Sequence, residues 1–257
     1  AKKLSISRAM IFNYISKHSP IPVKLFNKIK FILREKKDYP IIQLPYTRSE
    51  IKIPSLSSKL AYFLGVMFGD GYIGENPYEV AITENSLEDL KHIYKVKGII
   101  KSLFGLDFKV KFDKNKNAVY LRCYSKPLVL FLNEKFNFPI GKKKGKLKVP
   151  FFIAQDCNYF KYFVRGLFDT DGSIYIRRKK NLVLEIISAD FKFLEEIKHF
   201  LNTLNYNAGR SGKNLYIYKP LNIFRFFKEI KPYNDKHLKR YNLFKKVCTG
   251  RLVARNL

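Results

Sequence analysis

The sequence is short of cysteine, histidine and long apolar runs, and each shortage excludes a class of protein. Its 257 residues include three cysteines, Cys123, Cys157 and Cys248, and no C-x-x-C pair. The four histidines have no metal-ligand spacing and are interpreted as surface or partly packed side chains, so neither a disulfide framework nor a zinc site is indicated. The longest uncharged apolar run, residues 60–69, is too short to span a bilayer. No signal peptide is visible after Ala1.

Acidic residues are also scarce, and the resulting charge predicts the partner. Fifty Lys and Arg side chains stand against 21 Asp and Glu side chains, which gives a formal net charge of +29. A hydrophobic content of 46% with 16% aromatic residues is typical of a folded chain. Such a positive field attracts polyanions, so nucleic acid rather than a membrane is the expected partner. We expect a cytoplasmic protein, in a reducing compartment, that acts on nucleoid or organellar DNA.

One ten-residue pattern occurs twice, at residues 63–72 and 164–173, and each copy ends an apolar helical run with Asp-Gly. Asp70 and Asp171 therefore lie at helix C-termini, where the partial negative charge of the helix favours a cation. If the two helices pack together, these carboxylates form a hard-oxygen site. Such a site suits Mg²⁺ or a similar ion better than zinc.

Small residues four positions apart predict that the two helices do pack together. Gly65 and Gly69 have this spacing in the first copy, and Gly166 and Thr170 have it in the second. Positions four apart share one helix face, and a face of small residues lets another backbone approach closely.

The alternative is that each Asp-Gly pair only closes a helix. Gly71 and Gly172 would then adopt the left-handed conformation. The occurrence of two copies in matching contexts favours the metal site.

The N-terminal residues 1–38 are predicted to form a small helical extension. Ser7 can cap a helix that runs to Tyr14 or Ile15, and a second helix is predicted from Pro20–Pro22 to about Arg34. The first helix is similar to the recognition segment of helix-turn-helix proteins, with Arg8, Asn13 and Tyr14 facing DNA. The alternative is an extension that packs on the main domain. Residues 39–55, punctuated by proline, are interpreted as a linker.

The two motifs open two units of similar order, residues 56–138 and 159–257, joined by a basic connector at 139–158. Residues 87–93 parallel residues 194–200, so the repetition extends beyond the motifs. Period-two alternation and turn residues predict two hairpins in each unit. After the first motif helix, which begins near Ser57 or Ser58, the predicted elements are 79–83, 87–103, 108–113, 118–124 and 126–136. After the second motif they are 173–177, 182–187, 191–204 and a basic helix over 235–248.

The strands carry basic and tyrosine side chains at alternate positions, which predicts a DNA-binding face. A two-stranded ribbon fits the major groove, where Arg and Lys reach guanine edges and Tyr contacts bases or phosphates. The alternative for any single lysine is that it only discourages strand pairing at an exposed edge. The predicted DNA-binding residues are Lys109, Lys111, Tyr120, Arg122, Tyr175, Arg177, Lys179, Arg210, Lys213 and Tyr216, of which Lys179, Arg210 and Lys213 are predicted to lie in loops.

The two motifs resemble those of LAGLIDADG homing endonucleases of the single-chain type, and the resemblance covers residues 56–250. It implies an α+β fold of two pseudo-twofold αββαββα units, whose two antiparallel sheets form a DNA-binding saddle. It also implies a monomer that hydrolyses both strands of a long DNA site with Mg²⁺ or Mn²⁺. The residues implied as metal ligands and catalytic groups are Asp70 and Asp171, assisted by the carbonyls of Gly69 and Thr170.

The sequence departs from the family pattern where Gln and Lys helpers are expected after each motif. The matching positions are Glu84 and Asn85 in the first unit and Ser188 and Ala189 in the second, so neither unit offers the lysine there. The two halves are therefore expected to differ in competence, and the alternative function is non-cleaving nucleic-acid binding, as an RNA maturase or DNA-binding regulator. The C-terminus, Arg-Asn-Leu257, lacks the His-Asn pair of splicing inteins.

Overall fold

Two copies of one arrangement of helices and strands make up most of the structure. The computed structural model describes residues 4, 6–16, 21, 25, 28–29, 41–43, 50–177 and 181–253. The first copy consists of α2 (Ser58–Asp70), β3 (Gly71–Ile73), β4 (Glu79–Asn85), α3 (Leu90–Phe104), β5 (Lys109–Asp113), β6 (Ala118–Tyr124) and α4 (Lys126–Phe136). The second consists of α6 (Cys157–Asp171), β7 (Gly172–Arg177), β8 (Asn181–Ile187), α7 (Phe191–Thr203), β9 (Gly209–Ser211), β10 (Asn214–Ile217) and α8 (Pro220–Glu229). The remaining elements are α1 (Arg8–Ile15), β1 (Ile41–Gln43), β2 (Glu50–Lys52), α5 (Phe151–Ala154) and α9 (Asp235–Val253).

Each copy forms a four-stranded antiparallel sheet with the same strand order. The orders are β3-β4-β6-β5 and β7-β8-β10-β9. Within each sheet, the glycine that follows the motif aspartate pairs with an isoleucine of the next strand, Gly71 with Ile82 and Gly172 with Ile186. The predicted α+β fold of two αββαββα units is therefore confirmed, and this register makes Glu84 and Ser188 equivalent positions.

The motif helices α2 and α6 pack on each other through their small residues, as the sequence predicted. A Cβ atom built on Gly65 would lie 2.0 Å from the carbonyl oxygen of Phe163, and one on Gly166 would lie 2.2 Å from that of Tyr62. No other residue fits at these positions without separating the backbones. The large apolar side chains of both helices then fill one continuous core, in which Phe63, Phe68, Phe163 and Phe168 are at most 2% exposed.

The motif helices do not end in the left-handed glycine conformation that the alternative interpretation of Asp-Gly required. Gly71 has φ −78° and Gly172 has φ −87°, both with extended ψ, so the chain passes directly from helix into strand. Glycine is needed for space, since a Cβ on Gly71 would lie 2.5 Å from the Met67 carbonyl oxygen. The Gly105 end of α3 is left-handed, with φ 72°.

Outside the two units, some of the elements predicted from the sequence are present in the structure and others differ. Helix α1 begins after Ser7, whose side chain accepts a hydrogen bond from the Met10 amide, as predicted. Most of the second predicted helix lies outside the described residues. The stretch interpreted as a linker contains strands β1 and β2, which pair with each other and bury Ile51 in the core. Within the described part of the chain, no helix is both long and apolar enough to cross a membrane.

Candidate functional site

Asp70 and Asp171 lie together at the C-terminal ends of the two motif helices. A Cβ on the neighbouring Gly69 would be 3.4 Å from the Asp171 Oδ2 atom. Burial, reinforced by the charge of Asp171, raises the pKa of Asp70 to about 8. Burial raises the pKa of Asp171 to about 6, and the ammonium groups of Lys143 and Lys236 oppose that rise. Two carboxylates that resist ionisation in this way form a site that is short of positive charge.

Lys143, from the basic connector, supplies one positive charge at the site. Its ammonium group donates to the carbonyl oxygens of Gly69, Phe68 at 3.2 Å and Met67 at 3.4 Å, which are left unpaired at the C-terminus of α2. Burial lowers the pKa of Lys143, while the charges of Asp171 and Asp70 oppose the change. A buried lysine with a lowered pKa is suited to proton transfer.

Lys236, at the start of α9, is the counterpart of Lys143 in the other half of the molecule. Each of these lysines lies seven residues beyond the helix that ends its unit, and each follows a proline in a Pro-x-x-x-Lys pattern. Lys236 contacts Asp89 at 2.9 Å. Its charge opposes the rise in the pKa of both site aspartates, Asp70 and Asp171. The helper positions predicted from the sequence, Glu84, Asn85 and Ser188, contain no lysine, and the structure places Lys143 and Lys236 near the site from other segments. The repeated Pro139 and Pro232 spacing was the available signal.

A chain of buried polar groups runs behind the site and joins the two units. His92 Nδ1 lies 2.8 Å from a Glu84 carboxylate oxygen, and His92 Nε2 lies 2.6 Å from the Tyr62 hydroxyl. Tyr62 donates to Asp169 at 3.0 Å, and Asp169 also accepts the Asn234 amide at 3.0 Å. Burial opposes protonation of His92, but its hydrogen bond with Glu84 and the charge of Glu84 raise the His92 pKa overall. The network fixes the backbone on both sides of the site.

Two histidines are deeply buried, contrary to the interpretation of all four as surface or partly packed residues. His92 is 2% exposed and His237 is 0% exposed. His237 packs against Phe168, with ring centroids 4.5 Å apart, and burial lowers its pKa to about 3. Single histidines on amphipathic helices gave no sequence signal of this burial.

The residues expected as catalytic helpers after each motif make hydrogen bonds within their own unit. Glu84 is buried against His92, although its charge raises the Asp70 pKa as a minor cause. Asn85 is exposed and accepts hydrogen bonds from the Leu87 and Glu88 amides in the turn before α3. Ser188 accepts the Asp190 amide at 3.2 Å in the corresponding turn. Each of the three side chains has a local hydrogen-bond partner, and their action as catalytic helpers stays a prediction.

The donor set at the site fits a hard divalent cation. Two carboxylates and the adjacent carbonyl oxygens of Gly69 and Thr170 are oxygen ligands of the kind that Mg²⁺ and Mn²⁺ bind. The Thr170 hydroxyl is not among them, since it donates to the Leu167 carbonyl oxygen at 3.0 Å. Among the described residues, no group of three or more His, Cys, Asp or Glu side chains forms a metal site. The two aspartates would therefore be the charged protein ligands.

The predicted DNA-binding residues of the first unit share one face of its sheet. Lys109 is paired across the strands with Arg122, and Lys111 with Tyr120, so all four side chains point the same way. Both lysines are exposed. Arg122 is held by Glu79, with an N–O distance of 2.6 Å, and would have to exchange this partner for a phosphate or base.

The second sheet presents tyrosine and one buried acid where the first presents basic residues. Tyr216 stacks on Tyr218 with ring centroids 5.3 Å apart, and Glu185 lies between Ser173 and Tyr216 across the strands. Tyr175 and Arg177 share this face, being two and four residues beyond Ser173 in strand β7.

The remaining DNA contacts predicted in the second unit are Arg210, Lys213 and Lys179. Arg210 pairs across the strands with the buried Leu215 and contacts Glu195 of α7 at 2.5 Å, so the structure places it on the helix-covered face. Lys213 is exposed in the β9–β10 turn. Lys179 lies outside the described residues.

In α1, Arg8 and Asn13 are exposed and Tyr14 is partly buried, and their contact with DNA stays a prediction.

We predict that the metal-free site destabilises the fold as pH rises. Asp70 binds its proton more tightly in the folded chain than in the unfolded chain, so its contribution to stability is complete below pH 3.8 and is lost by about pH 8. Thermal unfolding in EDTA measures this at about pH 5.5 and about pH 8.5, a window chosen so that ordinary carboxylates stay ionised. The wild type should lose more stability over this interval than Asp70→Asn. An equal pH dependence of the two proteins would contradict the buried, protonated Asp70.

Comparisons with known proteins agree with the duplicated fold. Residues 59–133 match the family described as WhiA LAGLIDADG-like domain, and residues 159–231 match the family described as LAGLIDADG-like domain. The chain therefore contains two LAGLIDADG-like domains. A crystal structure of I-DmoI in complex with DNA and Mn is similar at a TM-score of 0.48 and 20% identity, over 67% of this chain and 96% of that one.

Curated relatives share only a segment with this chain. The probable translation initiation factor IF-2 of Methanocaldococcus jannaschii is 30% identical over 164 residues, which are 62% of this chain and 12% of that protein. The tRNA-splicing ligase RtcB of Pyrococcus abyssi is 35% identical over 137 residues, which are 49% of this chain and 15% of that protein. The chain thus spans about an eighth of the length of these relatives.

Proposed function

We propose that the chain is a site-specific endonuclease that hydrolyses both strands of a long double-stranded DNA target with Mg²⁺ or Mn²⁺. The observation that carries the proposal is the pair of partly buried aspartates, Asp70 and Asp171, at the ends of two packed helices. Burial disfavours both charges, and the charge of Asp171 further disfavours that of Asp70. A protein that only binds DNA gains nothing from placing such carboxylates beside phosphates, whereas a metal-dependent nuclease needs them.

Each residue of the site has a definite role in this proposal. Asp70 and Asp171 would hold the ion, with the Gly69 and Thr170 carbonyls as additional oxygen ligands. A bound divalent ion supplies Lewis-acid activation of water and neutralises charge at the leaving 3′ oxygen. Lys143 holds a proton next to the Gly69 carbonyl. From there its ammonium group can move to a phosphate oxygen and stabilise the charge that develops there.

The DNA partner follows from the charge and from the sheet faces. Lys109 and Lys111 are exposed on the first sheet and unopposed by acids across the strands, so they are placed to contact phosphates or guanine edges. The tyrosines of the second sheet would contact bases by packing. We propose a monomer, because the two LAGLIDADG-like domains of one chain already supply both halves of the site.

The curated relatives support a self-contained module. A translation factor and an RNA ligase have no activity in common, yet both match this chain over 12–15% of their length. In each relative the matched segment is a small part of the chain, so we infer that it is a module separable from the activity in the relative's name. A nuclease domain that occurs within unrelated proteins accounts for this distribution.

The second candidate is a nucleic-acid-binding protein of the same fold that does not cleave, such as an RNA maturase or a DNA-binding regulator. Two observations favour it. The helper positions Glu84 and Ser188 are occupied by locally satisfied side chains, and the Gly69 carbonyl is taken by Lys143.

A cleavage selection separates the two candidates and finds the target. A library of randomised double-stranded DNA is incubated with the protein and Mg²⁺ or Mn²⁺, and cut ends are sequenced. The endonuclease predicts one enriched duplex sequence cut on both strands, with 5′-phosphate and 3′-hydroxyl ends. Enrichment by binding alone, with no cut ends in either metal, would favour the second candidate.

We predict that DNA binding weakens steeply with salt. If six or more phosphates are neutralised, the slope of log K against log salt concentration should be about −5 or steeper. Anisotropy titrations in Ca²⁺ at several salt concentrations measure this slope, and Lys109→Gln with Lys111→Gln should reduce it by about two, one for each lost phosphate contact. A flat salt response in the wild type would rule out the proposed DNA footprint.

A further inference from the structure

Asp89 and Asp190 are equivalent by structure, since each is the residue immediately before the helix that follows its hairpin, α3 and α7. The sequence parallel of residues 87–93 with 194–200 would instead pair Asp89 with Glu196. The carboxylate of each aspartate contacts the lysine-bearing segment that follows the other unit. Asp190 caps α7, and its carboxylate accepts the main-chain amide of Leu147 at 2.9 Å, four residues after Lys143. Asp89 precedes α3, and its carboxylate contacts the Lys236 ammonium itself at 2.9 Å and 3.1 Å. The aspartate before the helix therefore binds a main-chain amide, that of Leu147, in one half of the molecule. In the other half it binds the ammonium group of Lys236.

The pair of Asp89 and Lys236 is largely shielded from water. The side chain of Lys236 is 15% exposed and that of Asp89 is 5% exposed. Asp89 also accepts the Asn234 side-chain amide at 2.6 Å, which fixes its orientation. An ion pair shielded to this degree interacts more strongly than a surface pair, and separating it leaves a buried charge without a partner.

The backbone that carries Lys236 is fixed as well. Asp169 accepts hydrogen bonds from the main-chain amides of Tyr233 at 2.9 Å and Asn234 at 3.0 Å. The equivalent position in the first motif, two residues before its terminal aspartate, is Phe68, which can accept no such bond. Lys236 is therefore held both through its backbone and through its ammonium.

Lys143 is held more loosely by comparison. Its ammonium contacts only main-chain carbonyls, and among the described residues it takes part in no ion pair. A carbonyl dipole attracts an ammonium group less than a full carboxylate charge does. The charges of Asp171 and Asp70 also attract Lys143, but a divalent ion held by those carboxylates would offset this attraction, so Lys143 can leave its resting contacts at a smaller cost than Lys236.

We propose that Asp89 withholds Lys236 from its half of the site, so that the strand served by Lys143 is cut first and a nicked duplex accumulates. The inference rests on the proposed endonuclease function and makes Asp89 a positioning residue. It acts through Lys236, and its carboxylate hydrogen bonds within the described part of the chain are with Lys236, Asn234 and the Asn85 amide rather than with the proposed metal ligands.

The first test measures the rate constants of both cuts on a duplex with a different label on each strand. The wild type should cut one strand at least about tenfold faster than the other, and Asp89→Asn should bring the ratio close to one by speeding the slower cut. Adding Lys236→Gln to Asp89→Asn should restore the wild-type ratio, because the gain requires the released ammonium. The matched control is Glu88→Gln, which removes the same charge one residue away, where Glu88 pairs with Arg240 at 3.2 Å.

A second test needs neither DNA nor metal. Reductive methylation of the metal-free protein, followed by mass spectrometry, measures the reactivity of each lysine. Asp89→Asn should raise methylation of Lys236 several-fold while that of Lys143 stays unchanged, and Glu88→Gln should change neither. Because asparagine keeps the shape of the side chain and can still accept the Asn234 hydrogen bond, the fold should survive, and a thermal melt verifies this.

The outcomes are distinguishable. If the wild type cuts neither strand in Mg²⁺ or Mn²⁺, the endonuclease proposal and the strand order are both refuted, while the methylation test still reports on the contact between Asp89 and Lys236. Equal cutting of both strands by the wild type refutes the strand order alone. A strand ratio in Asp89→Asn that is unchanged or larger, or unchanged Lys236 methylation, overturns the role given to Asp89.

Discussion

Replacing either motif aspartate with asparagine should abolish double-strand cleavage and leave DNA binding intact. We expect Asp70→Asn and Asp171→Asn each to lower the rate of cutting by about 10³-fold or more, the order of loss expected when a main electrostatic contributor to a transition state is removed. Asparagine keeps the size of the side chain but removes the charge that a divalent ion requires. Affinity for the duplex should be unchanged or tighter, because a negative charge facing phosphates has been removed.

The measurement is a cleavage time course on the selected target together with a binding titration in Ca²⁺. Asp107→Asn is the matched control, since Asp107 is exposed and pairs with Lys97 at 3.2 Å in the α3–β5 turn. The control should cut at the wild-type rate. Wild-type cleavage by Asp70→Asn and by Asp171→Asn would show that these residues do not form the catalytic site.

Adding one methyl group between the motif helices should destabilise the whole molecule. In Gly65→Ala the new Cβ would lie 2.0 Å from the Phe163 carbonyl oxygen and 2.9 Å from the Leu167 amide nitrogen, both backbone atoms that cannot rotate away. The helices must separate, which opens the shared core. We expect the free energy of unfolding to fall by about 3 kcal/mol, at the upper end of the usual cost of overpacking.

Gly98→Ala provides the control for this prediction. Gly98 is an exposed glycine inside α3, and a Cβ there has no atom within 4 Å. Since alanine favours a helix over glycine, this variant should be more stable by about 0.5–1 kcal/mol. Urea unfolding of both variants measures the difference. Equal stability of Gly65→Ala and the wild type would contradict the close contact of α2 and α6.

Local sequence was sufficient to predict most of the fold. The first motif helix was expected to start near Ser57 or Ser58, and the structure starts it at Ser58 with Ser57 as its cap. The helix predicted over residues 126–136 has those bounds. In both cases a capping side chain and an apolar period mark the element, and these signals do not depend on distant residues. The packing of α2 on α6 was also predictable from local sequence, because small residues four positions apart on one helix face allow another backbone to approach closely.

The less predictable parts of the site depend on long-range contacts. Lys143 and Lys236 act on the charges of the site aspartates from segments that follow the last helix of each unit, and a sequence with 50 Lys and Arg gives little reason to choose them. The buried network was hidden for the same reason, since Tyr62 and Asp169 meet only when α2 and α6 pack. Arg210 was predicted to contact DNA from a loop, but it lies in strand β9 on the helix-covered face, where it contacts Glu195 of α7.

Cleavage of the selected duplex with and without chelator tests the central claim most directly. In Mg²⁺ or Mn²⁺ the wild-type protein should convert the duplex through a nicked intermediate to products cut on both strands, and EDTA should stop both cuts while binding in Ca²⁺ persists. Full cleavage in EDTA, or specific binding without a cut in any divalent metal, would contradict a metal site formed by Asp70 and Asp171.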